Sequence, residues 1–152
     1  MSSVSGVVRR HPIITFFALT YAIGWGLIPF WTFQAGSPFI AALIVILLTQ
    51  GVAGLKELGL RMIRWRVRWS WYALAIGMPL AVLGLIVGLN VALGASAPSL
   101  VQYSSVSTIL LVFGTKLINP GDGPLGEEPG WRGFALPGLQ SSLSPLVSTL
   151  IL

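Results

Sequence analysis

Apolar residues in this chain run in blocks as long as a bilayer is thick, and that limits what it can fold into. Ile13 to Phe33 is 21 residues without a charge. At 1.5 Å per residue such a run crosses a hydrocarbon core of about 30 Å. Further apolar runs cover 39–55, 70–94 and 105–118. Only 9% of the residues are charged, against 55% apolar. A soluble surface cannot be built from so few charges, whereas lipid covers an apolar exterior without cost. The expected fold class is all-α: a multi-pass transmembrane helical bundle, in one domain over 1–152.

The net charge of +5 does not indicate a nucleic-acid partner, because the basic residues flank the apolar blocks and make no soluble face. The chain has no cysteine, which excludes disulfides, thiolate metal sites and a cysteine nucleophile. Met1 to His11 reads as a short polar start ending in Arg9-Arg10-His11. The run that follows is too long and too aromatic for a signal-peptide core and no small-residue cleavage site follows it, so it reads as an uncleaved helix. Trp25 and Trp31 suit interface anchors or packed aromatics.

Gln34 to Pro38 reads as a turn, with Pro38 fit to open the second helix. The stretch from Lys56 to Trp69 is basic, aromatic and amphipathic, which suits the headgroup layer. As a helix it groups Arg61, Arg64 and Arg68 on one side; from Arg64 onward it also reads as a two-residue alternation. Gly84 and Gly88 form a G-x-x-x-G that allows close helix approach. Asn90 suits an interhelical hydrogen bond, and Lys116 complements the end of the fourth helix. All nine Lys and Arg fall in the N-terminus, in 56–69 or in 116–132. Alternating spans from a cytoplasmic N-terminus therefore put every basic group inside the cell, and the localisation expected is the cell membrane.

Asn119 to Pro124 is a breaker cluster, and without a following Gly-Lys-Ser/Thr it is not a P-loop. Just beyond it, Gly126-Glu127-Glu128-Pro129-Gly130-Trp131-Arg132-Gly133-Phe134 interrupts the apolar sequence with two adjacent carboxylates and a guanidinium. Ionisable groups in such surroundings cost roughly 2.5–3.5 kcal/mol each on insertion scales, so they persist where they pair or do chemistry. In a regular helix over 125–137, Glu128 and Arg132 are i,i+4 partners and Glu127 lies about 100° round. One glutamate is then structural and the other is available as a general base. If Pro129 instead opens the helix, Glu128 is its cap and the pairing is only approximate. A capped, salt-bridged turn without catalysis accounts for the same residues. Leu136-Pro137-Gly138 reads as a second break, and Ser144-Pro145 as the start of another helix. The residues after Pro145 fall short of a span, so the chain reads as a fragment truncated inside a membrane segment.

Glu127-Glu128-x-x-x-Arg132, continued as Gly133-Phe134-x-Leu136-Pro137-x-Leu139-Gln140, resembles the first motif of the CAAX protease and bacteriocin-processing family, which is similar to the type II CAAX prenyl proteases. The motif covers about fifteen residues, and Trp131 before the arginine fits it. The resemblance implies a membrane-embedded endopeptidase acting on membrane-associated proteins or peptides. It makes Glu127 the activator of water, with Glu128 and Arg132 orienting or bracing the site. Gly138 departs from the basic residue expected there. The family's later histidine motifs are absent, and His11 lies at the wrong end of the chain, so these residues alone are expected to lack peptidase activity. The family is often described as metalloproteases, but two carboxylates without a neighbouring histidine make a poor zinc site, and the sequence assigns no cofactor. The competing expectation is a non-catalytic membrane immunity or scaffold protein retaining the first motif. A small transporter is disfavoured because Gln50, Asn90 and Asn119 are isolated polar residues.

Overall fold

The computed structural model describes residues 2–26, 28–30, 35–99, 105–121 and 123–152. The regular structure among them is helical: α1 (Ser2–Arg10), α2 (Pro12–Gly26), a 3₁₀ turn (Ile28–Phe30), α3 (Ser37–Met62), α4 (Trp69–Ala92) and α5 (Val106–Ile118) come first. Then follow α6 (Pro124–Glu128), a π-helical stretch (Pro129–Ala135), α7 (Leu136–Gln140) and α8 (Pro145–Ile151). The chain divides into two units, one of residues 1–63 with 111–152 and one of residues 64–110.

The first unit carries the core. Phe16 of α2, Ala41, Ala42, Val45, Ile46 and Leu58 of α3, and Ala135 of the π-helical stretch are all buried. Small residues on the first leg of α3 let α2 come close, and Trp131 and Phe134 pack onto the same cluster. The N-terminus is not merely polar chain. Val8 is buried in this cluster, and Ser2–Arg10 is helical. α3 runs through Met62 rather than ending near Leu55, and it is broken at Gly51, where φ is 67° and ψ is −157°. That backbone conformation is open to glycine and strained for residues with a Cβ. Arg9 donates from Nε to the Leu48 carbonyl at 3.3 Å, beside this break.

The second unit is dominated by α4, none of whose described residues is buried. Its apolar side chains point in every direction, as on a helix solvated by lipid. α3 and α4 are each long and apolar enough to cross a membrane, whereas Pro12–Gly26 and Val106–Ile118 are apolar but shorter. Trp31 lies outside the described residues.

Two sequence expectations in this region are corrected. Arg61 is helical but Arg64 and Arg68 precede the start of α4 in non-helical chain, so the three share no helical face. Arg66 instead lies over the Trp65 ring, 5.4 Å from its centroid. A Cβ on Gly84 or Gly88 would meet nothing within 4 Å among the described residues. Asn90 donates from Nδ2 to the Ile86 carbonyl of its own helix at 2.8 Å rather than to another helix.

Candidate functional site

Pro124, not Pro129, opens the acidic helix, with Gly123 as the cap residue. Proline at the first helical position loses no hydrogen bond, since that N–H has no intrahelical partner. Glu128 (φ −60°, ψ −39°) and Pro129 (φ −62°, ψ −33°) are both helical. Of the two arrangements weighed for this stretch, the one with Pro129 opening the helix and Glu128 as its cap is excluded, and the break expected at Leu136-Pro137-Gly138 is corrected, because Leu136–Gln140 continues the helix. The prolines are accommodated by a change of winding. Pro129 cannot donate to the preceding turn and its ring crowds that carbonyl. The backbone widens over Pro129–Ala135, and Leu136 N–H reaches back to the Trp131 carbonyl, five residues earlier. Pro137 likewise supplies no N–H to the Gly133 carbonyl, which accepts from Arg61 Nη1 at 3.3 Å. Arg61 also pairs with Glu57 at 2.5 Å, which holds its guanidinium in place.

Two sets of contacts position this helix. Trp131 packs edge-on against Phe16 (centroids 5.4 Å apart) and Phe134 lies 5.3 Å from the same ring. Gly126 and Gly130 sit so close to neighbouring backbone that a Cβ would overlap the Pro120 carbonyl and the Pro38 carbonyl respectively. The sequence carries the same G-x-x-x-G spacing here as at Gly84 and Gly88; here there is a partner for it. The start of α3 is thereby pressed against the acidic helix.

Glu128 and Arg132 form the i,i+4 ion pair. Glu127 makes no ion pair or hydrogen bond with the described residues, and its side chain is exposed. It borders two clefts. One, of about 190 Å³, is bounded by Thr20, Tyr21, Trp25, Pro38 and Trp131. The other, of about 320 Å³, includes Glu128, Arg132, Leu136 and Thr149. Thr20 is 3% exposed, and its hydroxyl has no hydrogen-bond partner among the described residues. Sequence reading missed Thr20, which sits in an apolar run with no motif around it. It also missed Arg61 as a contact of the acidic helix, for which the proline four residues beyond Gly133 was the available signal.

This donor set does not fit zinc. Glu128 is committed to Arg132, and among the described residues no three His, Cys, Asp or Glu side chains come together. What the arrangement offers is one carboxylate held by a guanidinium and a second, unpaired one facing two clefts. Comparison with protein-family models, curated proteins and solved structures found no match to this chain.

Proposed function

We propose that these residues supply part of a membrane-embedded endopeptidase of the CAAX-protease type, with Glu127 as its general base, and do not by themselves suffice for turnover. The observation that carries this reading is the division of labour between adjacent glutamates: Glu128 is bound to Arg132, and Glu127 is left unpaired beside two clefts. In the reaction, the Glu127 carboxylate takes a proton from water, the resulting hydroxide adds to the scissile carbonyl carbon, and the C–N bond breaks as the proton passes to the leaving amine. Glu128 and Arg132 fix the backbone from which Glu127 projects. No step runs through a metal.

The reading also takes the chain as multi-pass with a cytoplasmic N-terminus, which the confinement of all nine Lys and Arg to alternate segments supports. Its substrates are membrane-associated proteins or peptides, cleaved near the cytoplasmic face.

A second reading, a non-catalytic immunity or scaffold protein, is favoured by the packing of the same motif. Gly126, Gly130, Trp131 and Phe134 all have structural contacts that would keep them in place without chemistry. One experiment separates the two. The protein as its gene encodes it is reconstituted in lipid and assayed against fluorogenic peptides with and without a C-terminal prenyl group. The peptidase reading expects turnover that Glu127→Gln lowers by about 10²–10⁴-fold, with helix content and membrane insertion unchanged. Undiminished turnover in the variant removes Glu127 from the mechanism, and absence of turnover in both favours the scaffold.

A further inference from the structure

Away from the acidic helix, a cleft of about 600 Å³ lies where α1 meets α2, bordered across the way by the end of α7. It is lined by Arg9, Arg10 and His11 from one side and by Ser141 and Ser142 from the other. Among the described residues no carboxylate borders it. Arg9 uses Nε to hold the Leu48 carbonyl, which leaves both of its terminal nitrogens for another acceptor. Arg10 is exposed and makes no ion pair or hydrogen bond with the described residues. Ser141 donates to the Gly138 carbonyl at 2.7 Å and Ser142 lies 3.4 Å from the Ser141 hydroxyl. Ile14 and Phe134 supply an apolar side to the same space.

Two adjacent guanidinium groups repel one another when nothing negative stands between them. Their planar forks match a tetrahedral oxyanion. We propose that this cleft binds a phosphate group, either the headgroup phosphate of an anionic phospholipid, whose chains would lie along Ile14 and Phe134, or a free phosphate. The site is separate from Glu127 and stands whether or not the peptidase reading does.

The test uses the intact protein in two arms. In the first, it is placed in nanodiscs of phosphatidylcholine with a minor share of phosphatidylglycerol, and native mass spectrometry measures which lipid is retained. In the second, inorganic phosphate is titrated against the detergent-solubilised protein, with chloride as control. Arg10→Gln is the informative variant, because Arg9 also supports α3; circular dichroism checks that it folds. Retention of phosphatidylglycerol over phosphatidylcholine, weakened about tenfold or more by Arg10→Gln, identifies the lipid source. Phosphate binding that Arg10→Gln abolishes, with no lipid preference, identifies the free anion. Binding that is the same in wild type and variant, or no binding in either arm, overturns the proposal.

Discussion

Glu127 and Glu128 are neighbours in sequence with opposite circumstances, and the difference comes from which of them lies one helical turn before Arg132. The pair is exposed, with side-chain accessibilities of 68% for Arg132 and 41% for Glu128. In water such an i,i+4 pair contributes about 0.3–0.5 kcal/mol, so its importance is geometric more than energetic. Arg132→Ala is expected to cost little more than that in unfolding free energy, yet to lower turnover by about 10²-fold, because the carboxylates lose their fixed backing. A double-mutant cycle with Glu128→Gln, read in both stability and turnover, checks this; additive effects on turnover would deny that the two act as a unit. Thr20 gives a stability prediction. Replacing a buried, unpartnered hydroxyl with a methyl of the same shape removes a desolvation penalty. Thr20→Val should therefore stabilise the fold by about 1–3 kcal/mol in denaturant titration. A destabilised variant would mean that the hydroxyl has a partner in the folded protein.

At the scale of the element, the acidic helix depends on two devices, a π-helical stretch that accommodates proline and a glycine pair that permits backbone contact. Gly130→Ala is the sharp test of the second. The added Cβ meets the Pro38 backbone, which cannot rotate away as a side chain end could. The expected loss is about 1–3 kcal/mol, measured by chemical unfolding in detergent. Gly84→Ala, with open space around it, should be close to neutral in the same assay. Equal effects at the two positions would contradict the packing described. These elements also mark where sequence reasoning was limited. That the chain is helical, and that Glu128 and Arg132 stand one turn apart, followed from hydropathy and spacing. The π-helical winding over Pro129–Ala135 did not, because Pro129 and Pro137 were weighed by α-helical rules that such a stretch relaxes. The break at Gly51 was hidden inside an apolar run, since glycine there resembles any other small residue until its φ is known. Likewise a G-x-x-x-G has no meaning without its partner, and nothing local in the sequence ties Gly130 to Pro38.

For the whole molecule, the proposal depends on where a bilayer lies. α3 and α4 have the length and composition to cross one, and α4 presents apolar side chains all round. Basic residues confined to alternate segments set the expected orientation, with the acidic helix at the cytoplasmic edge. This placement gives Glu127 both water and a low-dielectric flank, the combination that base catalysis beside a membrane needs. The natural lack of cysteine makes the placement directly measurable. A single cysteine replacing Glu127 is labelled with a membrane-impermeant thiol reagent in sealed vesicles of known sidedness. The account predicts labelling from the cytoplasmic side alone; labelling from the outer side alone, or equally from both, would contradict it.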